Sequence, residues 1–421
     1  MINIKEIKTM VFKDKTIFGA GIMSLGIFLG SIFNYMTQVF LGRNLSIEDY
    51  GTFNSLFSFT VILAIPSLVF TSSMIKMVAG LKAKNDFKTL TNIFLKSTRL
   101  VIISGLILSS LVLIFKKQIF SYLNVSDFSI TVPFIVYVAL LFISILPRSY
   151  LQGLLKFKAV SFHAVTGPAM RLGFCLLFVL YGLRVSGVFY AVALSTFLNF
   201  LIGTFFLKKH YDKGEEQDLS KYYKKLATFG IAILVMRASL SALSNIDLVL
   251  VKHFFSPLDA GLYSGIVTIG KIILFGTGII GAVMFPIISN LYESGEEYLN
   301  KFSFFFLIQV LLVLGGIAVF TLFPEFITIN MFGPAYRPAV EYLSKYSLFI
   351  GLFSTVSFVF QFLLAIDKIK ASAILLVGVL VQIILINLMH TSLDQVININ
   401  IAVMSGILIT SLGYLKLSIS T

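Results

Sequence analysis

Long apolar runs, joined by short polar segments, determine what this chain can fold into. A helix that crosses a bilayer needs roughly 20 mainly apolar residues, and it satisfies its own backbone hydrogen bonds there. The sequence therefore predicts an all-α, polytopic membrane protein with about twelve transmembrane helices. The predicted spans are 16–42, 53–79, 93–115, 130–153, 159–182, 187–208, 225–252, 259–289, 302–325, 339–365, 371–390 and 396–416.

The low charge content excludes an ordinary soluble protein. Charged residues make up 12% of the 421 residues, whereas a soluble domain has about 25%. The longest polar segment is also the most charged, and it lies at the middle of the chain. We interpret residues 210–224 as a cytoplasmic linker between two six-helix lobes, residues 1–209 and 225–421. Six helices per lobe is an even number, so we expect parallel repeats around a central cavity.

The basic residues predict the orientation in the membrane. The net charge of +14 would suggest nucleic acid as a partner of a soluble protein, but here Lys and Arg lie mainly between apolar runs. With a cytoplasmic N-terminus, 23 of the 33 Lys and Arg fall on cytoplasmic segments and six on outer ones. The positive-inside rule then predicts that both termini are cytoplasmic. Tyrosines near span ends, including Tyr50 and Tyr263, are expected to keep their hydroxyls in water.

An eight-residue motif occurs twice, at positions 210 residues apart. Its copies, Ser46–Phe53 and Ser256–Tyr263, share the pattern S-x-x-D-x-G-x-aromatic. Each copy lies between two apolar runs, so the motif predicts the outer turn of a duplicated helical hairpin. We expect Asp49 and Asp259 to cap the helices that follow.

The positions around the motif predict close packing and bending. Gly51 and Gly261, one in each copy, lack a side chain and are expected to let helices approach closely. Pro66 and Gly276 occupy equivalent positions inside the spans that follow. Proline removes a backbone donor and glycine weakens a helix through its entropy, so we predict hinges at both residues.

Three basic residues are predicted near the bilayer midplane. Arg171, Arg237 and Lys271 lie about twelve residues into their spans, at a depth where no acid is predicted. A cation there costs about 2.5–3.5 kcal/mol, so it usually faces protein or water. The three predict a site for phosphate or pyrophosphate, although binding to backbone carbonyls or snorkelling stays open. Lys345 is interpreted as structural, because Glu341 precedes it by one helical turn.

Other polar residues inside the spans allow two interpretations each. Asp247 is a candidate for coupling to an ion or a proton, or for pairing with Lys252 five residues further on. Asn34, Tyr35 and Gln38 fall on roughly one helix face and are candidates to line the cavity. Hydrogen bonding between helices is the alternative role for these three side chains.

Several kinds of activity lack their sequence signatures. No Walker motif is present, so ATP-driven transport by this chain is not expected. There is no G-x-S-x-G sequence, and short outer segments with few carboxylates argue against a glycosyltransferase or polymerase. The histidines have no metal-ligand spacing and are interpreted as loop or interface residues: His163, His210, His253 and His390. We therefore expect no enzyme, no metal and no cofactor.

Three segments resemble polysaccharide repeat-unit flippases of the multidrug/oligosaccharidyl-lipid/polysaccharide exporter superfamily. The first is the turn Gly42–Phe53. The second comprises Asn245-Ile246-Asp247, then the second motif copy, then Gly270-Lys271. The third is Met331-Phe332-Gly333-Pro334-Ala335-Tyr336. Their order and their sidedness also match those of the family.

The resemblance implies a function and a location. It implies a bacterial inner-membrane flippase that moves undecaprenyl-pyrophosphate-linked oligosaccharides to the outer leaflet by alternating access, for surface polysaccharide such as O-antigen. Arg237 and Lys271, with Arg171, would hold the pyrophosphate. The implied partners are the lipid-linked oligosaccharide and membrane lipid, with a polysaccharide polymerase and a chain-length regulator as further candidates and no nucleic acid. The main alternative is an ion-coupled small-molecule antiporter of the same superfamily.

Overall fold

The computed structural model of the chain describes residues 15–208 and 234–419. These residues form helices, with no strand among them, as the apolar runs predict. The helices are α1 Lys15–Asn44, α2 Ile47–Leu63, α3 Pro66–Ala83, α4 Phe87–Ile114, α5 Lys116–Tyr122, α6 Thr131–Leu140, α7 Ile145–Gly153, α8 Phe157–Leu180, α9 Arg184–Leu207, α10 234–243, α11 Ile246–Phe254, α12 Pro257–Glu293, α13 Leu299–Leu322, α14 Pro324–Phe332, α15 Val340–Ala365, α16 Ser372–Leu388 and α17 Leu393–Ile419. Short 3-10 turns lie at Phe128–Ile130, Pro334–Ala339 and Ile369–Ala371.

Within the described residues, 11 helical segments are long and apolar enough to cross a membrane. They lie close to all of the predicted spans except the second, which confirms an all-α polytopic membrane protein. The segments are Gly21–Asn44, Phe87–Ile114, Phe128–Gly153, Phe157–Leu180, Arg184–Leu207, Leu234–Phe254, Pro257–Glu293, Leu299–Leu322, Pro334–Ala365, Ile369–Leu388 and Leu393–Leu417.

The second predicted span forms two shorter helices instead of one. α2 has 17 residues and α3 has 18, and the chain turns between them at Ala64 and Ile65. Pro66 is the first residue of α3, a position where the missing N–H of proline leaves no helical bond unmade. Gly276, its equivalent in the repeat, lies instead within the uninterrupted helix α12.

Contacts divide the described residues into two compact units. The first unit comprises 15–44 and 66–208, and the second comprises 45–65 and 234–419. Helix α2 therefore packs with the second unit, whereas α1 and α3, which flank it in sequence, belong to the first. The linker predicted at 210–224 lies outside the described residues, so the division into two lobes at that point stays a prediction.

In the first unit, small residues bring α1 close to α8. A Cβ at Gly26 would lie 2.1 Å from Ser161 Oγ, and a Cβ at Gly30 would lie 2.2 Å from the carbonyl oxygen of Ala164. Small residues at such contacts are typical of helix pairs in membranes. From Gly26 to Gly30 on α1, the contact on α8 moves forward from Ser161 to Ala164. The two helices therefore run in the same direction. Asn34, one turn after Gly30, consequently also faces α8.

The two copies of the repeated motif both lie in the second unit, where each begins a helix. The hydroxyl oxygens of Ser46 and Ser256 accept hydrogen bonds from the backbone N–H groups of Asp49 and Asp259, each at 3.1 Å. The serines are thus the capping residues, and the prediction that the aspartates cap these helices is wrong. In the second copy the Ser256 hydroxyl also donates to the Asp259 carboxylate at 2.7 Å.

The motif glycines meet each other where α2 crosses α12. A Cβ at Gly51 would lie 2.7 Å from the backbone nitrogen of Gly261, and one at Gly261 would lie 2.0 Å from the carbonyl oxygen of Ile47. The predicted close packing is therefore confirmed. Tyr50, beside this crossing, is fully buried, and its hydroxyl bonds to that of Thr268 at 2.8 Å. The expectation that this tyrosine keeps its hydroxyl in water is wrong.

Candidate functional sites

A cavity of about 260 Å³ lies inside the first unit, between α1, α7, α8 and α9. The arginine cavity, as we name it, is lined on its polar side by Ser31, Asn34, Arg148, His163, Arg171 and Asn199. Sites for drug-sized ligands measure roughly 300–1,000 Å³. The arginine cavity therefore has room for a small charged group and not for an oligosaccharide.

Arg171 lies in the arginine cavity opposite α1. One terminal nitrogen, Nη1, donates to Asn34 Oδ1 at 3.3 Å, which follows from the close packing of α1 on α8. Its Nε is buried and has no hydrogen-bond partner among the described residues. Asn34, a cavity candidate from the sequence, thus lines this cavity, whereas Tyr35 and Gln38 are not among its lining residues. Arg171 retains donor capacity toward a ligand.

Arg148 is a second arginine of the same cavity, and it is not among the site residues predicted from the sequence. It lies within the predicted span 130–153, but it is not one of the three cations predicted near the midplane. The helical path is interrupted at 141–144, and the short helix α7 then carries Arg148 into the cavity wall. An arginine several residues inside an apolar run was the signal available in the sequence.

His163 forms part of the cavity wall and is 3% exposed. Its Nδ1 lies 3.4 Å from Asn199 Nδ2, and the hydroxyl of Thr166 donates to Asn199 Oδ1 at 3.1 Å. Its Nε2 is buried without a hydrogen-bond partner among the described residues. This histidine is not a loop residue: it is the seventh residue of α8 and lies at the interface of α8 with α9. A polar cluster on neighbouring helices cannot be read from residue spacing alone.

The lining of the arginine cavity favours anions. Arginine is always protonated and offers donors only. Among the residues that the structure places around the cavity none is acidic, so two guanidinium groups share the space without a carboxylate. Guanidinium groups bind phosphate and carboxylate oxygens through paired hydrogen bonds. In the described ranges no group of three or more His, Cys, Asp or Glu side chains is placed to hold a metal ion.

A buried polar network around Asp247 occupies the second unit. The Asp247 side chain is fully buried. Its Oδ2 accepts the hydroxyl of Tyr263 at 2.7 Å and Asn400 Nδ2 at 3.5 Å, and its Oδ1 accepts the N–H of Leu248 at 2.9 Å. Gln382 Nε2 extends the network by donating to Asn400 Oδ1 at 2.9 Å. Tyr263, like Tyr50, therefore does not keep its hydroxyl in water.

Lys271 lies near this network and is held by an amide, not by a carboxylate. Its Nζ donates to Asn245 Oδ1 at 3.3 Å, and the negative charge of Asp247 attracts it. Lys271 and Asp247 lie on neighbouring helices, α12 and α11, and no ion pair joins these two described residues. Lys252, the other candidate partner of Asp247, is instead attracted by Glu48 and Asp49.

The remaining predicted cations have different surroundings. Arg237 is exposed on α10 in the second unit. Arg171 belongs to the first unit, so the convergence of Arg171, Arg237 and Lys271 on one anion stays a prediction. Lys345 pairs with Asp394 Oδ1 at 2.6 Å, and the predicted pairing with Glu341 is wrong, because α17 supplies a nearer carboxylate.

Solved structures share this fold. Over 93% of this chain and 96% of the other, the alignment with the inward-facing conformation of a multidrug resistance MATE family transporter of the MOP superfamily has a TM-score of 0.76 and 14% sequence identity. Over 95% of this chain and 87% of the other, lipid II flippase MurJ in an inward closed conformation gives 0.72 and 15%. At these identities the likeness shows the fold alone.

Sequence comparison places the chain in a family. Curated protein sequences yield no match to it. The family model described as polysaccharide biosynthesis protein matches residues 18–292, which is more than half of the chain. That range contains the whole arginine cavity and both copies of the repeated motif. The chain belongs to the polysaccharide biosynthesis protein family.

Proposed function

We propose that this protein is a flippase that moves undecaprenyl-pyrophosphate-linked oligosaccharide repeat units from the cytoplasmic to the outer leaflet. The family supplies the link to polysaccharide biosynthesis, and the fold is shared with a lipid II flippase. The excess of Lys and Arg on alternate segments supports an inner-membrane orientation with both termini in the cytoplasm. The cargo would serve the synthesis of a surface polysaccharide of the O-antigen type.

The arginine cavity is the observation that carries this proposal. A pyrophosphate brings at least two negative charges, and the cavity offers Arg148 and Arg171 with no acid among its lining residues. Its volume is large enough for the pyrophosphate but too small for the glycan or the lipid tail, which would lie outside it. The lipid tail is soluble in the bilayer, whereas the polar glycan and the charged pyrophosphate both need the protein to cross the hydrocarbon.

Lys271 and Arg237 remain proposed ligands of the pyrophosphate in the second unit. The Nζ of Lys271 already donates to Asn245 Oδ1, and Lys271 lies in the same unit as the Asp247 carboxylate. We therefore expect Arg171 to contribute more to anion binding than Lys271 does. Arg237 is exposed and able to reach a ligand.

Alternating access would be driven by an ion or proton gradient acting on Asp247. This carboxylate is fully buried among donors, where a change of bound proton or cation alters the balance of charge with Lys271. Pro66, after the break between α2 and α3, and Gly276 would serve as the hinges. A polysaccharide polymerase and a chain-length regulator are proposed to receive the product.

An ion-coupled antiporter of small molecules is the second candidate function. The buried Asp247 favours it, because a carboxylate inside the membrane suits a cationic substrate or a coupling ion. The MATE fold shared with a multidrug resistance transporter is equally compatible with it. The arginine cavity argues for the flippase, since it would repel a cationic drug.

Reconstitution into lipid vesicles separates the two functions. The protein is incorporated with an undecaprenyl-pyrophosphate-linked oligosaccharide, and the fraction of glycan accessible to an external glycosidase is followed under an imposed ion gradient. We expect protein-dependent exposure of the glycan and no gradient-driven efflux of a cationic dye. Dye efflux without exposure of the glycan would identify the antiporter and overturn the flippase.

A further inference from the structure

His163 lies beside the two arginines of the cavity, and one of its ring nitrogens has no hydrogen-bond partner among the described residues. It is 3% exposed, it lines the arginine cavity, and Arg148 lies near enough to act on it electrostatically. A buried polar atom without a partner costs free energy unless a ligand or water satisfies it. The Nε2 of His163 and the Nε of Arg171 are both such atoms in the described part of this unit.

A chain of hydrogen bonds from Thr166 through Asn199 to His163, which we call the relay, determines which nitrogen of His163 carries the proton. The Thr166 hydroxyl donates to Asn199 Oδ1, so the amide oxygen of Asn199 is engaged. The amide nitrogen, which only donates, therefore faces His163 Nδ1, and that nitrogen has to accept. A neutral imidazole that accepts at Nδ1 carries its proton on Nε2. The ring thus presents an N–H donor on its other side.

Two glycines leave the space that this arrangement needs. A Cβ at Gly167 would lie 2.6 Å from Asn199 Nδ2, and a Cβ at Gly203 would lie 3.0 Å from His163 Nε2. Any side chain at either position would displace the amide or the ring. The backbone of α8 and α9 therefore holds the relay at the cavity wall from both sides.

We propose that His163 is a ligand of the pyrophosphate, its Nε2–H donating to a phosphate oxygen of the anion that Arg148 and Arg171 neutralise. Thr166 and Asn199 are positioning residues, since they act through the histidine tautomer. The proposal rests on the assignment of a pyrophosphate cargo made above. It adds an uncharged donor, which gives directional binding of an oxygen without increasing the positive charge of the cavity.

Titration of the full-length protein with inorganic pyrophosphate tests the assignment. The protein is held in nanodiscs of zwitterionic lipid, so that no anionic lipid competes, and binding is measured by calorimetry. Hydrogen bonds to charged groups predict that His163→Leu weakens binding by about 10- to 100-fold. His163→Gln places an amide N–H near the former Nε2 and should stay within about threefold of the wild type. Arg148→Gln should lose binding, whereas Arg337→Gln, in an exposed ion pair with Glu325, should not.

Nitrogen NMR gives a readout that a merely structural role would not move. The sequence has only four histidines, so selective ¹⁵N labelling with His163→Gln as the assignment control resolves His163. We expect the Nε2–H tautomer in the free protein and a shift of the Nε2 resonance on addition of pyrophosphate. Thr166→Val should release the Asn199 amide and mix the two tautomers.

The outcomes separate this proposal from the flippase. Equal binding by wild type and His163→Leu would overturn the role of His163, as would an equal loss in His163→Leu and His163→Gln, which would indicate packing only. An absence of pyrophosphate binding in the wild type would overturn it as well. If the titrations behave as expected while vesicles show no exposure of the glycan, the His163 site stands and the flippase proposal fails.

Discussion

At the scale of single residues, charge inside the membrane is handled in two different ways. In the first unit the arginine cavity contains Arg148 and Arg171, and no acid among its lining residues balances their charge. In the second unit Lys271 donates to Asn245, and hydrogen-bond donors surround the Asp247 carboxylate. The first arrangement is suited to binding an anion. The second is suited to a change of protonation or of bound cation.

Lys345 tests whether a cation near the membrane can be purely structural. Its bond to Asp394 joins α15 to α17, and both side chains are partly exposed. Exposed ion pairs contribute roughly 0–1 kcal/mol. We expect Lys345→Ala to leave glycan transport in vesicles nearly unchanged and to lower the melting temperature slightly. Complete loss of transport in a folded Lys345→Ala protein would show that the residue was wrongly assigned.

Asp247 tests the proposed coupling to an ion gradient. Asp247→Asn preserves the size of the side chain and one acceptor for Tyr263 while removing the charge. We expect gradient-driven exposure of the glycan to be lost, whereas pyrophosphate binding by the first unit should persist. Asp394→Asn, which removes a partly exposed carboxylate, is the matched control and should retain the gradient response. A wild-type response in Asp247→Asn would contradict the coupling role.

At the scale of helices, glycines and breaks decide where elements touch and where they separate. The repeated motif brings two helix beginnings together through Gly51 and Gly261, and a serine caps each of them. On the other side of α2, the break at Ala64–Ile65 precedes Pro66. Both connections of α2 to the first unit are therefore short non-helical segments, at 45–46 and 64–65.

The glycine crossing predicts a large cost for a small substitution. A methyl group at Gly51 would meet the backbone of Gly261, which cannot move without displacing α12. Overpacking of this kind costs about 1–3 kcal/mol or more. Gly80→Ala, in α3 with open space around it, is the control and should be neutral or slightly stabilising. Thermal unfolding in detergent measures both. Equal melting temperatures of the Gly51→Ala and Gly80→Ala proteins would contradict the close crossing of α2 and α12.

At the scale of the whole molecule, the positions of the spans are predictable from the sequence, because bilayer thickness sets the length of each apolar run. Span positions follow from the length of apolar runs, and the structure places the described spans close to them. Partners between helices were not predictable in this way. The bonds of Lys345 to Asp394 and of Lys271 to Asn245 depend on how each helix is rotated and on which helix is its neighbour. Residue spacing within one helix carries neither kind of information.

The arginine cavity shows the same limit. Arg171 was recognised because an arginine in the middle of an apolar run is costly, and Asn34 because it lies on a polar face. Arg148 and His163 were missed, since the break at 141–144 and the relay through Asn199 appear only when four helices are packed together. The residues that complete the site are Arg148 of α7, His163 of α8 and Asn199 of α9, and only Arg148 left a signal in the local sequence pattern.

The most direct test of the account compares transport by cavity variants in vesicles. Rates of glycan exposure from an undecaprenyl-pyrophosphate-linked oligosaccharide are measured for wild type, Arg171→Gln, the double variant Arg148→Gln/Arg171→Gln, and Arg337→Gln, at matched amounts of folded protein. Loss of charged hydrogen bonds predicts a fall of about 10- to 100-fold for the single cavity variant and a larger fall for the double variant. Arg337→Gln should match the wild type. Wild-type rates in the double variant would contradict the claim that the arginine cavity carries the pyrophosphate across the membrane.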